Sequence, residues 1–229
     1  MDFHLIINNF LIILQGLDET LILIFLSLII GFFISIPFAL ARVSSIKILS
    51  QSVYYYIFVI RGTPLLVQIY LIYFGLGSIK AVRDSFLWVL LKEPFWCGVI
   101  ALVINTVAYT TEIFRGGIQS VNKGQIESCK SLGMNKFTMY FKIILPCAFR
   151  QALPAYGNEI ILMVKATSLI SLTTYMEMTG IARSIMYKTF APVEAFIAAG
   201  IIYLFLNFIV VQFIKFLEWK YNPHLRIKT

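Results

Sequence analysis

Apolar runs about as long as a membrane is thick constrain this chain more than any other feature of its sequence. A helix needs about 20 mostly apolar residues to cross the hydrocarbon core of a bilayer. The 229 residues are 59% hydrophobic and only 13% charged, with 20 Phe and 12 Tyr. A soluble domain of this length could not bury that much apolar surface. The sequence therefore predicts an all-α membrane protein.

Five runs reach this length and leave no room for a separate soluble domain, so we expect one domain over residues 1–229. The predicted spans are Thr20–Ala41, Ser52–Leu76, Phe95–Phe114, Ala155–Thr174 and Ala195–Leu217. The second span is interrupted by RGTP, and the fourth contains Glu159 and Lys165. The apolar stretch at residues 3–16 is too short to cross, so it either lies at the interface or extends the first span.

The distribution of Lys and Arg predicts the orientation. With the N-terminus outside, twelve of these residues fall in the cytoplasm and five fall outside, which is the positive-inside pattern. The twelve are Arg42, Lys47, Arg115, Lys123, Lys130, Lys136, Lys142, Arg150, Lys215, Lys220, Arg226 and Lys228. The net charge of +8 then reflects membrane topology and not nucleic-acid binding. We expect Thr229 in the cytoplasm and Lys80–Glu93 outside.

Neither the N-terminal stretch nor the cysteines suggest processing or metal binding. No Lys or Arg precedes Arg42, whereas a cleavable signal peptide has a basic start, so the first span should remain in the mature protein. The three cysteines, Cys97, Cys129 and Cys147, lack metal-ligand spacing and are interpreted as small packing residues.

The segment ESCKSLGMNKFTMYFKIILP, Glu127–Pro146, is amphipathic and falls in the largest predicted cytoplasmic loop, residues 115–152. We expect a short helix at Gln125–Leu132, a turn at Gly133 and a second helix that stops at Pro146. One face of the second helix would carry Met134, Phe137, Phe141, Ile144 and Leu145. The segment either lies on the inner leaflet or offers a protruding surface to a protein partner.

This segment resembles the EAA loop of ABC importer permeases. Glu127 is followed by two small residues, three others, Gly133, nine others, and then Ile143, Ile144, Leu145 and Pro146. Ser128 and Cys129 replace the usual pair of alanines, and both are small enough to keep a close helix contact. Three further stretches resemble polar amino-acid uptake permeases, the group that includes the histidine and arginine systems: RGTPLLVQIYLIYFG, AYTTEIFRGGIQSVNKGQ and LPAYGNEIILMVKATSL.

The resemblance implies one subunit of a larger machine, with the five-helix fold of a type I ABC importer permease. Two such permeases, identical or sister chains, would form the pathway in the bacterial inner membrane. Two ATPase subunits would dock on the cytoplasmic loop, and an external binding protein would deliver a polar, and more specifically basic, amino acid. The residues implied in coupling are Glu127, Ser128, Cys129, Gly133, Phe137, Ile143, Leu145 and Pro146.

No catalytic site is evident in the sequence. The chain has no G-x-x-x-x-G-K-[ST] loop, so ATP and Mg are expected on the partner ATPase, with no cofactor or metal bound here. Two alternatives are a secondary transporter, which usually shows internal repeats, and a membrane enzyme, for which Glu112 with Arg115 is the best reactive pair. Dependence of transport on a separate ATPase would distinguish them.

Ionisable residues inside spans are costly and usually face a partner or a water-filled cavity. Arg61 and Glu159 would either neutralise each other as a structural pair or contact the substrate. Pro64 predicts a bend that exposes Thr63 to a central pathway, with Gln68 about one turn further on. The residues expected along the substrate pathway are Thr63, Gln68, Glu159 and Lys165.

Overall fold

The computed structural model describes residues 3–221, apart from the side chain of Phe3, and almost all of them are helical. Thr229, Arg226 and Lys228, which entered the predicted topology, lie outside the described residues. The first seven helices are α1 (Phe3–Leu14), α2 (Leu17–Arg42), α3 (Lys47–Gly62), α4 (Leu65–Tyr70), α5 (Leu76–Ser78), α6 (Lys80–Arg83) and α7 (Trp88–Leu91). The other six are α8 (Pro94–Gln119), α9 (Lys123–Ser131), α10 (Lys136–Met139), α11 (Leu145–Ala166), α12 (Met178–Thr189) and α13 (Pro192–Tyr221).

Three helices, α2, α8 and α13, are long and apolar enough to cross a membrane alone. Two bent pairs bring the number of spans to five if each pair counts as one. One pair runs over Lys47–Gly62 and Leu65–Ser78 and bends by 102°, and the other joins Lys136–Thr173 to Met178–Thr189 with a bend of 48°. The prediction of an all-α protein with about five spans is confirmed.

The second span breaks where the RGTP sequence predicts. Thr63 takes an extended conformation at the end of α3, and Pro64 precedes the first residue of α4. Proline disfavours the helical conformation in the residue before it, which explains why the turn falls at Thr63. The bend leaves the end of α3 and the start of α4 facing one side of the bundle.

The fourth span begins well before the predicted Ala155, and the second helix of the amphipathic segment does not stop at Pro146. The chain stays helical from α10 through a π-helical turn, Tyr140–Ile144, into α11. Inside a regular helix, proline lacks one backbone hydrogen bond and its ring clashes with a carbonyl of the preceding turn. Here Pro146 lies in the first turn of α11, directly after the wider π turn, so the helix accommodates it. The expected stop at Pro146 is therefore wrong.

Helix α8 lies at the centre of the bundle and packs against α2, α3, α4 and α11. A core cluster that includes Leu23, Ile69, Leu102 and Val164 fills the space between these elements. Close approach depends on small residues: a Cβ on Gly117 of α8 would lie 2.5 Å from the carbonyl oxygen of Ala148 in α11. These contacts fix the helices that surround the candidate site.

The N-terminal stretch forms α1, which is separated from α2 by a turn at Gln15 and Gly16. Its buried Ile6 and Ile13 belong to a cluster with residues of α12 and α13. The expectation that this stretch extends the first span is wrong, because the turn redirects its apolar face onto these two helices.

Candidate functional site

The segment that resembles an EAA loop consists of two capped helices joined by a left-handed turn. The side chain of Asn122 accepts a hydrogen bond from the backbone N–H of Gly124 at the start of α9. Asn135 does the same for Thr138, with a distance of 2.7 Å, at the start of α10. Gly133 has φ of +71° between them, which favours glycine. We call residues 123–146 the coupling segment.

Side chains of the coupling segment divide between a buried and an exposed face. Cys129 is buried with Met139, Ile144 and Ala148, whereas Glu127 and Ser128 are exposed. Asn122 caps α9, and Glu127 lies in the middle of that helix. Small Cys129 thus packs α9 against the second helix as expected, whereas Ser128 does not make the expected close contact because its side chain is exposed.

The predicted common face of the second helix is split. Phe137 and Phe141 are 71% and 55% exposed, with ring centroids 4.4 Å apart, while Ile144 is buried. The π turn inserts an extra residue per turn and rotates the following residues, so a regular helical period does not extend across it. Ile143 and Leu145 are half-buried and Pro146 is exposed. The free aromatic surface therefore comes from Phe137 and Phe141, with exposed Leu132 beside the turn.

A cavity of about 670 Å³ lies where the second span breaks. Three of the predicted pathway residues, Thr63, Glu159 and Lys165, line it together with Arg61. Asn105 and Tyr109 of α8 also line it, and sequence reasoning did not single them out, although both lie in or beside the AYTTEIFRGG stretch. We call this the central cavity.

Gln68 is buried behind the break and does not line the central cavity. Its Nε2 donates to the carbonyl oxygen of Ile60 at 2.7 Å and to the hydroxyl of Thr63 at 2.8 Å. Its Oε1 accepts a hydrogen bond from Asn105 at 3.1 Å. Gln68 thus satisfies backbone groups that the broken helix leaves without partners, which is a structural position rather than a pathway position.

Arg61 and Glu159 share the central cavity, but within residues 3–221 no ion pair joins them. The guanidinium of Arg61 lies 4.9 Å from the centroid of the Tyr109 ring, and Glu159 accepts a hydrogen bond of 3.1 Å from Thr106. The predicted pair is therefore not in direct ionic contact, although both groups line the same cavity. Residue counts along two spans place both groups at similar depth, but they do not fix the rotation of each helix.

The proposed reactive pair of a membrane enzyme is instead an ion pair. Arg115 donates from Nε and Nη2 to the carboxylate of Glu112, with distances of 2.7 to 3.0 Å. Arg42 approaches the same carboxylate at 3.8 Å. The Glu112 carboxylate is thus already engaged by two arginines, and the described residues contain no group of His, Cys, Asp and Glu that could hold a metal ion.

Comparisons with known proteins agree with these features. Residues 27–222 match the family described as binding-protein-dependent transport system inner membrane component. The nopaline transport system permease protein NocM of Agrobacterium fabrum is 49% identical, covering 100% of this chain and 95% of NocM. The histidine/lysine/arginine/ornithine permease HisM of Escherichia coli K12 is 39% identical over 92% of this chain and 89% of HisM.

A solved structure agrees in the same way. The crystal structure of an amino acid ABC transporter with histidines superposes with a TM-score of 0.85 and 36% sequence identity, covering 96% of this chain and 99% of the other. The matches extend over nearly the whole chain, including the broken second span and the coupling segment. The chain belongs to the family of inner-membrane permease components of binding-protein-dependent transport systems.

Proposed function

We propose that this permease carries basic amino acids through the inner membrane as part of an ATP-driven importer. The observation that supports this most directly is the central cavity, which places a carboxylate, Glu159, and two cations, Arg61 and Lys165, around one space inside an apolar bundle. Charged groups inside a membrane protein usually mark the path of a polar substrate. Relatives named for nopaline, octopine and histidine/lysine/arginine/ornithine transport support the same class of substrate.

The chemistry of the cavity suits a zwitterion with an additional positive charge. Glu159 can accept hydrogen bonds from an ammonium or guanidinium group, while Arg61 can bind the α-carboxylate. Thr63 and Lys165 line the same cavity and add a hydroxyl and an ammonium group to it. The proposed pathway residues are therefore Thr63, Glu159 and Lys165, with Arg61 as a further contact.

The central cavity also supports a second permease as a partner. Arg61, Thr63 and Lys165 are exposed on this chain alone, at a depth where lipid would otherwise cover them. Charged side chains rarely face hydrocarbon, so an identical or sister chain would cover this side and complete the pathway. The external binding protein would deliver the amino acid from the opposite side to the ATPases.

The coupling segment is the proposed docking site for the ATPase subunits, one for each permease. Exposed Phe137, Phe141 and Leu132 offer an apolar surface, and Gly133 sets the turn between the two helices. ATP and Mg would be bound by those subunits. The other coupling residues are Glu127 and Ser128 on the exposed face, Cys129 against the second helix, and Ile143, Leu145 and Pro146 at its base.

Uptake by the whole complex tests this proposal. Proteoliposomes containing the permeases, the ATPase and the binding protein should accumulate L-arginine or L-lysine only with ATP. Glu159→Gln should reduce this uptake at least tenfold, because the carboxylate that faces the cation is lost. Exposed Asn158→Ala, one residue away, should leave it nearly unchanged. Uptake without the ATPase, or equal uptake by Glu159→Gln, would contradict the proposal.

A further inference from the structure

A second cleft, of about 440 Å³, adjoins the central cavity. Arg61, Gly62 and Tyr109 line both spaces. The second cleft also contacts Arg42, the last residue of α2, and Arg115, near the end of α8. Because α8 leads directly into the coupling segment, the second cleft lies toward the end of the bundle that carries that segment. We call it the inner cleft.

The inner cleft carries an excess of positive charge. Arg42, Arg61 and Arg115 line it, and Glu112 is the only carboxylate among its lining residues in the described part of the chain. Arg115 is fully engaged, since it binds Glu112 through two nitrogens and donates from Nη1 to Gln119 at 2.6 Å. Arg42 also lies 3.8 Å from Glu112, so three guanidinium groups share one carboxylate, and those of Arg61 and Arg42 are not both neutralised by it.

Those two guanidinium groups keep hydrogen-bond donors available. The guanidinium of Arg61 stacks on Tyr109 and makes no hydrogen bond with any residue in 3–221. Arg42 lies over the ring of Tyr54 at 4.9 Å and donates from Nη1 to Ser50. Its buried Nε is 3.8 Å from Glu112, beyond hydrogen-bonding distance, and makes no hydrogen bond with the described residues. A buried donor without a partner is uncommon and calls for an explanation. A planar anion with two oxygens fits such donors best.

We propose that the inner cleft is a carboxylate-binding subsite on the exit side of the central cavity. An amino acid that leaves Glu159 would be held there by its α-carboxylate, between Arg61 and Arg42, before release. This inference rests on the proposed function, because it takes the substrate to be an amino acid. The lining that the two spaces share favours a transported substrate as the ligand and not a membrane lipid. The Arg61 guanidinium lines both spaces and can follow the carboxylate from one into the other.

Labelling of a cysteine in the inner cleft tests this without relying on transport. Phe58 lines the cleft and is 65% exposed, so Phe58→Cys can be introduced in a background without Cys97, Cys129 and Cys147. The reconstituted complex in phosphatidylcholine nanodiscs is treated with an anionic or a cationic methanethiosulfonate of similar size. We expect the anionic reagent to react severalfold faster, because positive charge concentrates it in the cleft.

Two small molecules then separate carboxylate recognition from general charge. L-arginine should slow the labelling severalfold, whereas agmatine, which has the same guanidinium but no carboxylate, should not. Arg42→Gln should remove the protection, and Arg42→Lys should restore part of it. Ser131→Cys, exposed on the coupling segment, serves as the control position, and L-arginine should not change its labelling rate.

Several results would overturn the subsite. These are equal rates for the two reagents, no labelling by either, or equal protection by agmatine. Protection by phosphatidylglycerol nanodiscs with no effect of L-arginine would identify a lipid phosphate site instead. Absence of ATP-driven L-arginine uptake by the unaltered complex would count against the proposed function. Normal uptake with equal labelling rates would overturn the inner subsite alone.

Discussion

At the scale of single residues, two breaks in the helices depend on backbone conformation and hydrogen bonding. Gly133 adopts a left-handed conformation in the coupling segment, and Gln68 closes the hydrogen bonds of the broken second span. Neither residue is charged or reactive. Gly133 sets the angle between the two helices of the coupling segment, and Gln68 stabilises the bend between α3 and α4.

Replacing Gly133 by Val should uncouple ATP hydrolysis from transport. Open space surrounds the position, so the effect comes from the left-handed backbone, which costs a branched residue about 1–2 kcal/mol. Insertion should be nearly normal, because the turn lies outside the spans. Gly133→Asn is the matched control, since asparagine tolerates this conformation. ATPase activity and amino-acid uptake measured on the same proteoliposomes test this prediction. Normally coupled transport by Gly133→Val would contradict the role of this turn in coupling.

Replacing Gln68 by Met should destabilise the permease with little change in shape. Met fills a similar volume but leaves the carbonyl oxygen of Ile60 and the amide of Asn105 without this partner. Unsatisfied buried polar groups cost about 1–3 kcal/mol each. Thermal unfolding in detergent should show a lower midpoint. Gln212→Met, on the exposed surface of α13, should leave the midpoint unchanged. Equal midpoints for both variants would show that the bridge is unimportant.

At the scale of helices, small residues decide how closely α8 approaches α11. Gly117→Ala would place its Cβ 2.5 Å from a backbone oxygen of α11, whereas the space around Gly116 is open. A backbone atom cannot rotate away, so we expect Gly117→Ala to cost about 1–3 kcal/mol through overpacking. Gly116→Ala should be neutral. Unfolding midpoints and the yield of assembled complex test this pair, and identical behaviour would refute the close contact.

Helix formation and helix breaks were predictable from sequence to different degrees. The apolar runs and the proline in RGTP carry local information, so five spans and the turn at Thr63 follow from them. The π turn at Tyr140–Ile144 has no comparable local signal, and for this reason both the stop at Pro146 and the common face of Phe137 and Ile144 were wrong. Direct contact between Arg61 and Glu159 could not be predicted, because helix rotation depends on packing across the bundle.

At the scale of the whole molecule, the orientation in the membrane remains a prediction from the distribution of Lys and Arg. Asp84 lies in the segment proposed to be outside, and Ser131 lies in the coupling segment, proposed to be inside; both are exposed. In a background without the three cysteines, an impermeant maleimide should label Asp84→Cys in intact cells. Ser131→Cys should react only after permeabilisation. The reverse pattern would invert the topology.

The unbroken passage from α10 into α11 has a mechanical consequence. Lys136 and Glu159 lie on one nearly continuous helical rod, and at 1.5 Å per residue their separation is about 34 Å. The end that an ATPase would contact and the wall that would bind the substrate therefore belong to one helical segment, which contains a π turn at Tyr140–Ile144 and a proline at Pro154. A tilt at the ATPase end would be transmitted toward Glu159 along this helix, and the π turn and Pro154 are the points where the helix would bend under that motion.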